Sequence, residues 1–141
     1  MKQDHDERDR VSILLVEDEY LVAAGIMTLV DKMGFSVCAL AASGEEALEQ
    51  VRHHRPDLIL MDVVLRGKLK GTETARRIRR HHQAPIIFMS AHPSDQILDQ
   101  LDIESVMVLP KPFTSAHLQN ALQEALGQLP PPAPAAGGGE N

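Results

Sequence analysis

At 141 residues, with 43% hydrophobic and 24% charged side chains, the chain has the size and composition of one domain with a sizeable core. A formal net charge of -6, one Tyr, three Phe and no Trp exclude both a broad basic face for nucleic acid and the aromatic platforms on which single strands stack. The lone Cys38 excludes an internal disulfide, and no apolar run approaches the roughly 18 residues of a membrane helix.

Residues 1–10, M-K-Q-D-H-D-E-R-D-R, are nearly all polar and are expected to be a flexible lead-in. They lack the apolar core of a signal peptide, so a cytoplasmic location is expected. A first strand is predicted at Val11–Val16, then a helix over 19–33 that Gly34 ends. The second strand, Ser36–Ala41, leads to a helix over 43–54, where Ser43 and Glu46 have capping-box spacing. Leu58–Met61, Pro85–Met89 and Val106–Leu109 complete the strands, with helices over 72–81, 94–101 and 114–126. Thr114 is the expected N-cap of the last helix, whose Leu118, Leu122, Ala125 and Leu126 share one face. Gly127–Asn141, rich in Pro, Ala and Gly, is expected to be disordered, which leaves 11–126 as the domain.

Most of these strands are solidly apolar rather than alternating, as strands covered on both faces should be. Five of them alternating with five helices predict a doubly wound α/β fold with a parallel sheet. In such sheets the working site lies at the carboxyl ends of the strands, near the point where strand order reverses. Glu17 and Asp18 follow the first strand, Asp62 the third, Ser90 the fourth and Lys111 the fifth.

Three carboxylates about 4 Å apart would repel by roughly 4 kcal/mol per pair at an effective dielectric of about 20. The sum, about 12 kcal/mol, rivals the whole stability of a domain. The cluster must therefore take up protons, spread apart or bind a cation. Oxygen donors with no His or Cys beside them favour a hard ion such as Mg2+. A metal-bound carboxylate beside an ammonium and a hydroxyl is a place to receive a phosphoryl group, with Asp62 as nucleophile and Lys111 and Ser90 contacting the phosphoryl oxygens.

The stretches I-L-L-V-E-D-E, D-L-I-L-M-D, I-I-F-M-S-A and L-P-K-P-F, each at a predicted strand, together resemble the receiver domain of bacterial two-component response regulators. The resemblance implies a flavodoxin-like strand order 2-1-3-4-5. It implies Mg2+ or Mn2+ on Asp18, on Glu17 through water, on Asp62 and on the Val64 backbone carbonyl. It implies Asp62 as phosphoacceptor, Ser90 as switch hydroxyl, Lys111 as phosphate-sensing lysine, and a cis Lys111–Pro112 peptide.

The departures from the family pattern are specific. Where members commonly carry Tyr or Phe, three residues before the lysine, this chain has Val108, which has no ring to swing inward. Against the family pattern the loop after Asp62, R-G-K-L-K-G, is one residue longer; Arg66, Lys68 and Lys70 either attract a phosphohistidine partner or form a solvated basic loop. Val64 and His92, each two residues beyond a site residue, sit where the family tunes access of the hydrolytic water.

The expected function is that of a single-domain response regulator phosphorylated on Asp62 by a sensor histidine kinase or phosphotransferase. The segments flanking 11–126 are too short for an output module. Output is therefore expected through a protein partner on the face of the fourth helix, fifth strand and fifth helix, which includes Asp95, Gln96, Asp99, His117 and Gln119. A phosphorelay intermediate, a phosphate sink and a phosphorylation-independent binding module are the alternatives. An aspartyl-nucleophile phosphatase needs a second acid where Val64 stands. The pairs His53-His54 and His81-His82 are expected to face solvent at helix ends, Met61, Met89 and Cys38 to pack in the core, and Gly67 and Gly71 belong to no nucleotide-binding loop.

Overall fold

In the computed structural model, which describes residues 10–92 and 104–127, five strands alternate with helices. The strands are β1 (Ser12–Val16), β2 (Ser36–Ala41), β3 (Leu58–Asp62), β4 (Ile86–Ser90) and β5 (Val106–Pro110). The helices among the described residues are α1 (Tyr20–Lys32), α2 (Gly44–His54), α3 (Gly71–Arg79) and α4 (Ser115–Leu126). The predicted helix over 94–101, with Asp95, Gln96 and Asp99, lies outside the described residues, as do 1–9 and the tail from 128.

All strands run parallel in the order β2-β1-β3-β4-β5. The chain steps from β1 to one side, then returns across it to β3. Right-handed crossovers therefore put α1 on one face and the next helices on the other. Leu14, Val16, Ile59, Met61, Ile86 and Phe88 pack on the face that carries α2 and α3, through Ala47, Val51, Ala75 and Ile78. Ile13, Leu15, Leu58, Leu60, Ile87 and Met89 pack beneath α1 and α4. The period-two alternation of strand side chains thus builds two cores from one continuous apolar run.

Helix ends follow local chemistry. Gly34, at φ +94, closes α1: its N–H donates to Asp31 O and that of Phe35 to Val30 O, the paired bonds of a Schellman motif. Ser43 Oγ accepts from Glu46 N–H at 3.1 Å, but the Glu46 carboxylate reaches Ala42 N–H rather than Ser43. The box is therefore completed one residue earlier than its spacing suggests. At α4 the Thr114 hydroxyl accepts from His117 N–H, and His117 Nδ1 accepts from Thr114 N–H.

One expectation is corrected at the amino-terminal edge of the sheet. His82 does not face solvent: it is buried, with Nε2 2.7 Å from Pro56 O. Beside it the half-buried Arg79 guanidinium donates to the carbonyls of His82, Ala84 and Glu104, tying α3 to the segments that enter β4 and β5. A planar fork with five donors suits several carbonyls at once, which a lysine would not.

Candidate functional site

Strand register brings the polar residues to one edge. Val16 pairs with Met61, Met61 with Phe88, Asp62 with Met89, and Ser90 with Pro110. Whatever follows Val16, Met61, Met89 and Pro110 must then emerge side by side. The order reverses between β1 and β3, whose following loops part toward opposite faces and leave a crevice. The resulting cleft, of about 480 Å³, is lined by Asp18, Asp62, Val64, Ser90, His92 and Lys111 among others.

Glu17, Asp18 and Asp62 each present a carboxylate oxygen within 4.8 Å of the others. Glu17 is fixed at both ends: its N–H donates to Ala41 O at 2.9 Å, and its Oε2 accepts from Glu19 N–H at 3.1 Å. Its Oε1 is buried without a hydrogen-bond partner, 3.6 Å from Lys111 Nζ. Burial pushes the Glu17 carboxyl above its ordinary range and the neighbouring carboxylates add to this, against the Glu19 N–H and Lys111.

Asp62, the last residue of β3, accepts from Val64 N–H at Oδ1 (3.0 Å) and from Lys111 Nζ at Oδ2 (3.1 Å). Burial alone would lower the Lys111 ammonium, but the hydrogen bond and charge of Asp62, with Glu17 behind it, outweigh burial and raise it. Lys111 is placed by its own N–H, which donates to Ser90 O at 2.8 Å, and the Lys111–Pro112 peptide is cis. Ser90 is buried, and its Oγ accepts from His92 N–H at 3.1 Å. Val64 is 74% exposed and His92 lies at the surface.

The donor set suits a hard divalent cation. All three side chains that could hold it are carboxylates, and Glu17 Oε1 is buried without a hydrogen-bond partner. Two features escape sequence reasoning. Arg66 Nε lies 3.0 Å from Asp18 Oδ2, so the loop after β3 supplies a cation to the acid cluster. Gly71 packs so closely under that loop that a Cβ would stand 2.8 Å from Val63 O and 3.1 Å from Asp62 O. The basic residues were visible in the sequence; their partner was not. Val108 is half-buried against the α2–α3 side of the core and lines a groove of about 400 Å³ between β5 and α4, with His117 and Ala121.

Comparison with known proteins agrees with this geometry. A family model described as the response regulator receiver domain matches residues 13–123. The transcriptional regulatory protein AfsQ1 of Streptomyces coelicolor is 44% identical over 84 residues, which cover 60% of this chain and 36% of AfsQ1. The transcriptional regulatory protein YvrH of Bacillus subtilis is 34% identical over 111 residues, covering 78% of this chain and 46% of YvrH. The chain thus spans less than half the length of either regulator. The crystal structure of the receiver domain of a sensor histidine kinase from Pseudomonas aeruginosa, with a magnesium ion coordinated in its active site cleft, has a TM-score of 0.73. It is 33% identical, over 84% of this chain and 99% of that one. With the strand order, the carboxylates at the crevice and the family match in agreement, the chain belongs to the response regulator receiver domain family.

Proposed function

We propose that this receiver domain accepts a phosphoryl group on Asp62 from a sensor histidine kinase or histidine phosphotransferase, and signals in the cytoplasm through a phosphorylation-dependent protein contact. The observation that carries the reading is the convergence of Glu17, Asp18, Asp62 and Lys111, with the Lys111 ammonium hydrogen-bonded to Asp62 at 3.1 Å. Among the described residues no helix is long and apolar enough to cross a membrane, which is compatible with the cytoplasmic assignment.

An Asp62 carboxylate oxygen attacks the phosphorus of the donor phosphohistidine; the new O–P bond forms as the N–P bond breaks, and the imidazole leaves with its electron pair. Lys111 faces the charge that accumulates on the phosphoryl oxygens, in a cleft where it is already held by Asp62 and Glu17. Ser90 offers its hydroxyl proton to a phosphoryl oxygen, because its lone pair is engaged by His92 N–H. Glu17, Asp18, Asp62 and the Val64 carbonyl would hold Mg2+ or Mn2+, which when bound neutralises phosphoryl charge. Val64 and His92, at the cleft mouth, tune access of water to the phosphorylated aspartate. The chain is then no enzyme toward external substrates: it catalyses only its own phosphorylation and dephosphorylation.

The output surface is the face that includes β5 and α4, with the exposed His117 and Gln119 on α4. Val108 favours a second reading, a phosphorylation-independent binding module, because the groove it lines is formed without an aromatic ring that changes position. Incubation with acetyl phosphate, with and without Mg2+, followed by intact-mass measurement, separates the two. The phosphoacceptor reading expects Mg2+-dependent gain of one phosphoryl group in the native chain and none in Asp62→Asn. No gain in the native chain would favour the binding module.

A further inference from the structure

The loop from β3 to α3 carries its own cation into the cleft. Arg66 Nε meets Asp18 Oδ2 at 3.0 Å, yet the Arg66 side chain is 80% exposed and that of Asp18 only 12%. A guanidinium thus reaches in from solvent to cover a carboxylate that is nearly enclosed. The backbone around it is held on both sides. Leu65 is buried in the core under α2 and α3, and Gly67, at φ +100, lies against Glu45 and Ser43 at the start of α2. Arg66 can therefore leave Asp18 by side-chain rotation alone, without moving the loop.

Charge decides when it leaves. Three carboxylates face two side-chain cations, Lys111 on Asp62 and Arg66 on Asp18, while Glu17 Oε1 remains buried and without a hydrogen bond. A divalent ion that reached Asp18 would face the guanidinium across one carboxylate, and like charges at such separations repel strongly. The ion would be held by oxygens of three partly or fully enclosed carboxylates, whereas Arg66 has water beside it.

We infer that Arg66 is a displaceable latch: it occupies Asp18 while no divalent cation is bound, and the cation must expel it to reach Asp18. This rests on the divalent site in the phosphoacceptor reading and adds a positioning residue from this chain's own loop. The latch sets how much divalent cation is needed before Asp62 can react, and its release leaves a guanidinium free at the mouth of the cleft.

Mg2+ titration of the full chain by isothermal calorimetry, with no phosphoryl donor present, tests it. Removing an ion pair worth up to about 1 kcal/mol should let Arg66→Gln bind Mg2+ about threefold to fivefold more tightly than the native chain. Arg66→Lys should fall between. Lys68→Gln and Lys70→Gln remove the same charge from exposed positions of the same loop, and should shift affinity by less than half as much. In the native chain the Arg66 Nε–H resonance should move toward the position of a free arginine as Mg2+ is added. Equal tightening in all three Gln variants, or none in Arg66→Gln, would overturn the latch and leave the phosphoacceptor reading standing. Failure of millimolar Mg2+ to bind the native chain would overturn both.

Discussion

The Lys111 ammonium and the Asp62 carboxylate stand 3.1 Å apart, joining the residue after β5 to the last residue of β3 across the intervening β4. The same ammonium lies 3.6 Å from Glu17 Oε1. One cation therefore restrains two of the three carboxylates. Replacing it with an apolar side chain of similar length, Lys111→Met, should leave both without it. We expect a loss of about 1 to 2 kcal/mol in urea denaturation with a chelator present, discounted for the partial exposure of the pair. Added Mg2+ should restore more stability to the variant than to the native chain, because the cation takes over the missing charge. Equal stabilisation of both proteins by Mg2+ contradicts the shared role.

Glu17 is buried and holds its proton more tightly than an ordinary glutamate, so its carboxylate form strains the cation-free fold. A raised native value has a definite sign. The stability it contributes is complete below the ordinary value of 4.5 and is lost as pH rises through the raised folded value. Glu17→Gln, which stays neutral, should gain about 1 kcal/mol over the native chain at neutral pH without divalent cations, and little below pH 4. It should also bind Mg2+ more weakly. Thermal melts across pH check the first claim and calorimetry the second; a variant less stable than native at pH 7 contradicts it.

Gly71 leaves no room for a Cβ beneath the carbonyls of Val63 and Asp62. Gly71→Ala must displace the backbone that carries Asp62. A destabilisation of about 1 to 3 kcal/mol is expected from the overpacking alone. Its uptake of phosphoryl from acetyl phosphate should fall even at temperatures where circular dichroism shows a native fold. Native-like uptake in the folded variant would separate this contact from the chemistry.

Val108→Phe adds a ring at a half-buried position beside an open groove. The Val108 side chain packs on the α2–α3 side of the sheet rather than toward α4, so the added volume should cost about 1 to 3 kcal/mol. The proposed reaction at Asp62 does not use this side chain, so phosphorylation by acetyl phosphate should change by less than about twofold while affinity for the proposed output partner changes more. Equal effects on both measurements would mean that Val108 acts through the cleft.

The sequence made the sheet legible because burial on both faces leaves unbroken apolar runs; the observed strands begin and end within a residue of the runs in the sequence. The juxtaposition of Glu17, Asp18, Asp62, Ser90 and Lys111 was legible for a related reason: in a parallel sheet, whatever ends each strand meets at one edge. What was not legible depends on side-chain reach. Glu46 bonds Ala42 rather than Ser43, and His82 turns inward to Pro56 O. Arg66 folds over Asp18, a pairing 48 residues apart that neither spacing nor periodicity encodes. The close contact of Gly71 was equally hidden, since its reason is a pair of carbonyls eight and nine residues earlier in the chain.

If Asp62 carries the phosphoryl group, as proposed, chemical capture of that group will show it. Borohydride reduces an acyl phosphate on aspartate to homoserine, and leaves free carboxylates and phosphoserine intact. After incubation with acetyl phosphate and Mg2+, reduction and tandem mass spectrometry, homoserine should be found at position 62 and nowhere else. Homoserine at position 18, or a phosphoryl group that survives reduction on Ser90, would contradict the account.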